Sequence, residues 1–335
     1  LNMTNYGQTV ERTSLGDEVV GKLDQNRINV FASSPAPLRV LIHPGMISPR
    51  ERNFLYNLTR SIEHLDGAII DAGIFLGAST KAFASAIQER DNSNTLIRSY
   101  DVGVFNAFTA KEASRMLKID CAAGQSFDWI LEDLLHNERD LIEYNFGDMT
   151  NFKYDGGSIT IAFLDVMKDR ELSQRVVAQF FPHLTANAVI IHQDYFHPQH
   201  PWIPVIMARN ADLFEYVGRP QTDEFVNTAV FALKDPVESL AELDFNLDLG
   251  RQELRKAMEL AVHIHSDPVE RLNVLGALCV IEASFEGNVE MAREQFVALA
   301  KEHGIANLLQ DPKQKRHVER IELAIAVFAR GGKQW

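Results

Sequence analysis

Residues 67–80 run Gly67-Ala68-Ile69-Ile70-Asp71-Ala72-Gly73-Ile74-Phe75-Leu76-Gly77-Ala78-Ser79-Thr80. A short apolar run ends in an acid, glycines follow two and six residues later, and Ala-Ser-Thr opens a helix-forming segment. This is how a first parallel strand turns into its helix in a nucleotide-binding α/β sheet. Glycine lets the backbone come close to a ligand, and the helix start offers unpaired N–H groups. The spacing Gly73-Ile74-Phe75-Leu76-Gly77 lacks the G-x-G-x-x-G form, whose second glycine admits a pyrophosphate. A nicotinamide- or nucleotide-sugar-dependent oxidoreductase is therefore the weaker of the possible chemistries.

Upstream, Ser48-Pro49-Arg50-Glu51 is a capping box with proline at the first helical position, and Phe54, Leu55 and Leu58 follow at helical spacing. Leu38 to Ile42 suits a short strand. Residues 1–37 are polar and irregular, closing with Ser33-Ser34-Pro35-Ala36-Pro37, which suggests an arm or lid rather than a core element. Downstream, Phe83, Ala84 and Ile87 recur at helical spacing until Asp91-Asn92-Ser93-Asn94 breaks the helix. Thr95 to Tyr100 then reads as a second strand ending at Asp101. Residues 102–127, with Phe105 and Phe108, look like an insertion over the sheet's active edge, and a helix follows over Phe127 to Leu135.

Three further parallel strands are expected. Leu141 to Phe146 is closed by Gly147-Asp148, the apolar run Ile159 to Leu164 ends at Asp165, and Ala188 to Ile191 ends in His192-Gln193-Asp194-Tyr195. Phe214 to Val217 and Val226 to Leu233 form a closing antiparallel pair. The fold class is thus α/β, a Rossmann-like doubly wound, mostly parallel sheet. Its strands end in acids or polar clusters at the edge where such sheets bind ligands.

From Asp235-Pro236 onward the pattern is purely helical. Leu254, Met258, Ala261 and Val262 form one stripe; Leu272, Leu275, Leu278 and Ile281 a second; Val289, Ala292, Phe296 and Leu299 a third; Val318, Ile321, Ile325 and Phe328 a fourth. The stretch from Leu275 through Ala300 resembles one tetratricopeptide-like helix pair. The expected division is an arm over 1–37, a catalytic domain over 38–235 and a helical region over 236–335. That last region either packs on the sheet domain or pairs two copies as a homodimer.

The 335 residues are 46% hydrophobic, enough for a full core. Lysines and arginines number 33 against 46 acids, a net charge of -13 that argues against a nucleic acid or an anionic membrane as the main partner. Cys121 and Cys279 stand far apart, which supports neither a disulfide framework nor a cysteine zinc site. No apolar run approaches the ~20 residues that span a bilayer, and no basic start precedes an apolar stretch. A cytoplasmic location is expected.

Together, Asp71-Ala72-Gly73, Gly77-Ala78-Ser79-Thr80, Asp101, Gly147-Asp148, Phe163-Leu164-Asp165 and Gln193-Asp194-Tyr195 resemble the class I S-adenosylmethionine-dependent methyltransferases. The pattern is most similar to the macrocin O-methyltransferase-like branch, whose members act on sugar hydroxyls. The resemblance covers about residues 40–233. It implies S-adenosylmethionine as cofactor, with Asp71, Gly73, Gly77 and Ser79 forming its loop, Asp101 on the ribose, and Asp148 or Met149 beside the adenine. It also implies an acceptor hydroxyl on a small molecule or glycan, and a Mg²⁺ site drawn from Asp165, Gln193 and Asp194. Two departures stand out: Phe75 where a glycine is frequent, and Gln193 where the branch tends to have a second acid.

Methyl transfer to a hydroxyl is an in-line displacement that needs alignment and removal of a proton. Asp165 and Asp194 could hold a metal or act as base directly. His192, His197 and His200 lie beside them, and His197 is the first choice of base because it falls just beyond the strand. Lys168 could pair with a carboxylate or orient the acceptor. Tyr195, Phe196, Trp202, Phe105 and Phe108 could line an acceptor pocket or serve as core. The remaining alternative is a non-catalytic binding platform with the methyltransferase-like fold and a partner-binding helical tail.

Overall fold

The computed structural model describes residues 23–63, 65–90, 95–221, 227–234 and 237–330. The expected helix break at 91–94, the domain boundary at 235–236, Val226 and the first 22 residues of the arm lie outside them. Seven strands form one sheet: β1 (Ala68–Ala72), β2 (Ile97–Asp101), β3 (Ile142–Phe146), β4 (Ile159–Leu164), β5 (Leu184–His192), β6 (Phe214–Gly218) and β7 (Ala229–Leu233). Their spatial order is β3-β2-β1-β4-β5-β7-β6. The first five are parallel, and β7 runs antiparallel to both β5 and β6. The doubly wound sheet with its antiparallel closing pair is the architecture expected from the sequence.

Chain order reverses between β1 and β4, which opens a crevice at their carboxyl ends. Register sets what meets there. Asp71 pairs with Phe163 and Ala72 with Leu164, so the Asp165 N–H donates to the Ala72 carbonyl at 2.8 Å. The Gly73 N–H donates to Tyr100 at 2.8 Å, and the Gln193 N–H to Leu164 at 3.1 Å. Four strand ends are thereby tied into one rim.

Strand alternation divides the core in two. Ile69, Ile97, Ile161 and Ile191 face α1 (Gln25–Ser33), α2 (Leu38–Leu41), α3 (Pro49–Ser61), α4 (Ala78–Gln88), α5 (Ala107–Leu117) and α6 (Asp128–Leu134). Ile70, Ile159, Ala162 and Ile190 face α7 (Arg170–Phe180) and α8 (Trp202–Arg209). Their core runs on without interruption into α9 (Arg251–Ile264), α10 (Pro268–Glu286), α11 (Val289–Glu302) and α12 (Lys315–Ala329). Helix α10 is apolar on nearly all sides because α9, α11 and α12 surround it. Gly276 makes room for α12, since a Cβ there would lie 2.6 Å from Ile321 Cγ1.

Two upstream expectations are corrected. Leu38–Ile42 is not a strand but the short helix α2, with Val40 buried and Leu38 and Ile42 exposed. The cause is Arg52, a buried guanidinium that gathers the carbonyls of Val40 (3.3 Å), Leu41 (3.0 Å), His43 and Gly45 (3.2 Å) and curls the segment around itself. The end of the arm is not irregular. Asp24 caps α1, whose Ile28 and Ala32 are fully buried, and Asn53 of α3 fastens it through Ala32 and Ala36. The capping box of α3 forms as expected, with Glu51 N–H to Ser48 Oγ at 3.2 Å and Ser48 N–H to Glu51 Oε2 at 2.8 Å.

Candidate active site

The loop from β1 to α4 is held from behind. Asp71 is completely buried and accepts from the Ser79 hydroxyl at 2.9 and 3.0 Å and from Thr80 at 2.6 Å. Burial pushes its carboxyl up to about 7, against the pull of the two hydroxyls. Gly73 and Gly77 have φ of +92° and +81°. A Cβ on Gly73 would stand 2.7 Å from the Asp165 carbonyl oxygen, and one on Gly77 2.7 Å from Leu135 Cδ1. Phe75 is itself left-handed at φ +46°, a strained choice for a side chain. Its ring packs edge-on against Phe105 and Phe127 with centroids 6.2 and 6.5 Å away, and its N–H donates to Asp101 Oδ2 at 3.1 Å. These contacts hold the conformation that a glycine would adopt freely.

In front of this loop lies a cavity of about 800 Å³, within the range of small-molecule sites. Gly73, Phe75, Asp101, Asp148 and Met149 border one part of it; Asp165, Lys168, Gln193, Asp194 and His197 border the other. Asp71, Gly77 and Ser79 are not on its wall. Asp101 accepts from the N–H groups of Phe75 and Gly103 (3.2 Å), and burial raises its pKa in spite of them. The Asp148 side chain caps its own turn through the Thr150 N–H (2.9 Å), the Thr150 hydroxyl (2.8 Å) and Asn151 (3.1 Å), which hold its carboxyl below the usual range. Phe108 is exposed and lines the cavity, whereas Phe105, Tyr195, Phe196 and Trp202 are buried core.

At the other side the Lys168 ammonium stands 2.5 Å from Asp165 Oδ1 and also bonds Asp194 Oδ2. Burial raises the Asp165 carboxyl to about 7, with Lys168 opposing and Asp194 reinforcing the rise. For Asp194, burial opposes ionisation, but Lys168 and His200 outweigh it and hold the group below its usual value. Burial disfavours the charged Lys168, yet its two carboxylates overcome that and keep it protonated. Two carboxylates sharing one proton donor are thus pushed apart in pKa.

The expected metal set of Asp165, Gln193 and Asp194 is a correction. Lys168 takes an oxygen of each carboxylate, and the Gln193 amide is held 2.8 Å from the Thr228 hydroxyl, itself bonded to Glu51. Among the described residues no cluster of three or more His, Cys, Asp or Glu suits a metal. The residues present do not fit a divalent cation.

The histidines differ in what they can do. His197 borders the cavity, and burial lowers its pKa to about 4. Its Nδ1 accepts from the Gln199 N–H at 3.3 Å, so the neutral ring carries its proton on Nε2 and acts as a donor. His200 has the opposite arrangement. Its Nδ1 faces the Lys168 carbonyl at 3.2 Å, and its Nε2 stands 3.7 Å from Asp194 Oδ2. His192 is fully buried among Phe181, Tyr195 and Phe231, with no hydrogen-bond partner among the described residues, and burial lowers its pKa to about 3. It lies off the cavity wall.

Sequence reasoning missed Glu51, Thr228 and Arg320. Arg320 of α12 donates to Asn273 Oδ1 at 3.0 Å, and its charge interacts with Asp194. No local pattern marks these residues, since each reaches the site from an element remote in sequence.

No protein-family model matches the chain, and no curated protein does. Among solved structures, the apo form of CalS11, a TDP-rhamnose 3'-O-methyltransferase of calicheamicin biosynthesis, is similar with a TM-score of 0.45. Identity is 16% over 63% of this chain and 93% of CalS11. The O-methyltransferase NovP gives 0.41 at 11% identity over 62% of this chain and 96% of NovP. The O-methyltransferase from Bacillus cereus in complex with SAH gives 0.37 at 15% identity over 63% and 88%. Each of the three is a methyltransferase. None of the three scores reaches 0.5.

Proposed function

We propose that this chain is an S-adenosylmethionine-dependent O-methyltransferase acting on a hydroxyl of a small molecule or glycan. The observation that carries this reading is one cavity shared by the glycine loop with Asp101 and by the Asp165–Lys168–Asp194 cluster. The first group suits a nucleoside-bearing cofactor. The Gly73 backbone is bare of side chain at the wall, Asp101 presents a carboxylate at the end of β2, and Val102 and Met149 offer apolar surface. S-adenosylmethionine would supply a methyl group on a sulfonium sulfur, which keeps the C–S electron pair as the methyl leaves.

In this reading the Asp101 carboxylate accepts hydrogen bonds from ribose hydroxyls. Lys168 donates a hydrogen bond that fixes the acceptor oxygen. Lys168 occupies Oδ1 of Asp165, so Oδ2 takes the hydroxyl proton as the oxygen forms its bond to carbon. A carboxyl raised to about 7 suits that work at neutral pH. The neutral His197 donates toward the acceptor rather than removing its proton.

Calorimetric titration with S-adenosylhomocysteine, followed by incubation with methyl-labelled cofactor and a panel of hydroxylated acceptors, tests the proposal. Saturable binding and a labelled methyl ether are expected. Absence of binding removes the proposal, and binding without transfer to any acceptor favours a non-catalytic platform.

A further inference from the structure

Asp165 and Asp194, at the ends of neighbouring parallel strands, are the two carboxylates from which a divalent cation would be held at this rim. A hard cation needs their oxygens available. Lys168 occupies that position: its ammonium bonds Asp165 Oδ1 and Asp194 Oδ2 together. The reach is fixed by its backbone, whose N–H donates to Val166 at 2.7 Å and whose carbonyl faces His200 Nδ1. The Gln193 amide is engaged with Thr228. Arg320, anchored on Asn273, adds a second positive charge within electrostatic reach of Asp194. The two carboxylates therefore already share the ammonium of Lys168, with a second positive charge of the chain acting on Asp194.

We propose that the Lys168 ammonium holds the place between Asp165 and Asp194 that a divalent cation would need, so that the site orients its acceptor with a resident ammonium and works without a metal. The part about the acceptor rests on the methyltransferase reading; the part about the cation does not. A direct consequence is that deleting the ammonium leaves two carboxylates facing one gap, a donor pair of the kind that binds Mg²⁺ or Mn²⁺ with waters completing the shell.

Mn²⁺ is the probe, followed by loss of the free-ion paramagnetic resonance signal on the full chain after stripping with chelator. The wild type is expected to leave the signal unchanged. Lys168→Met should bind Mn²⁺ roughly tenfold or more tightly than the wild type, the scale of removing a like charge beside a cation. Lys168→Arg, which keeps the charge, should not. Adding Asp194→Asn to Lys168→Met should abolish the gain. Saturable binding to the wild type that Asp194→Asn removes would overturn the proposal, as would a folded Lys168→Met protein without any gain. If Lys168→Met does not fold, the wild-type and Asp194→Asn titrations decide alone, since binding there contradicts the proposal and its absence supports it. The titration needs no methyl transfer, so its failure is distinct from failure to bind S-adenosylhomocysteine.

Discussion

The two sides of the cavity are built by different means. On the glycine-loop side, the proposed cofactor side, backbone conformation does most of the shaping. Gly73 and Gly77 adopt left-handed φ, and Asp71 ties the loop to α4 over eight and nine residues of sequence. On the side of Asp165 and Asp194, the proposed acceptor side, side chains from distant elements meet. Lys168 joins Asp165, three residues before it, to Asp194, 26 residues after it, Thr228 reaches Gln193 across 35, and the charge of Arg320 in α12 acts on Asp194. A loop defined by its own backbone is written in adjacent residues, whereas a charge cluster is written only in the tertiary fold.

The contrast can be broken by substitution, and the largest effect is expected on the acceptor side. Asp165→Asn should lower kcat by ~10²–10⁴-fold, the usual contribution of a general base. Its affinity for S-adenosylhomocysteine should stay unchanged; equal losses in both would merge the two sides. The wild-type rate should also depend on pH in a defined sense. With Asp165 near 7, the base is ionised above that value, so kcat/KM should rise with pH through about 7 and level off. Asp165→Asn should lack this limb, and a wild-type profile flat from pH 5 to 9 would deny Asp165 the role.

On the cofactor side the effects should be smaller and fall on binding or on stability. Asp101→Ala removes a charged acceptor worth about 1.5–3 kcal/mol, so S-adenosylhomocysteine should bind roughly ten- to a hundredfold more weakly. Unchanged affinity would remove Asp101 from the ribose. Gly77→Ala meets Leu135 and an unfavourable φ, and should destabilise the fold by about 1–3 kcal/mol in urea titration. The smallest effect is expected at Asp148. Its side chain only caps the turn before Thr150, so Asp148→Ala should leave cofactor affinity within about twofold, a surface-scale change.

Much of the fold was legible because its determinants are local. The run Ile159–Leu164 is apolar throughout, as a central parallel strand requires, and Ser48 and Glu51 close their capping box within four residues. The segment 38–42 was misjudged for the opposite reason, since its shape comes from Arg52 reaching back from α3. The site divides in the same way. Asp101, Asp165 and Asp194 follow strand ends, and all three border the cavity. The metal expectation failed because only the folded chain places the Lys168 ammonium between the two carboxylates. Similarly, the tautomer of His197 is set by a contact visible only in the folded loop, the Gln199 N–H donating to its Nδ1.

The most direct test is a crystal structure of the chain with S-adenosylhomocysteine. The ribose is expected within hydrogen-bonding distance of Asp101 and the sulfur turned toward Asp165 and Lys168, with the rest of the cavity open for an acceptor. A ligand seated elsewhere, or a ribose that makes no contact with Asp101, would contradict that placement.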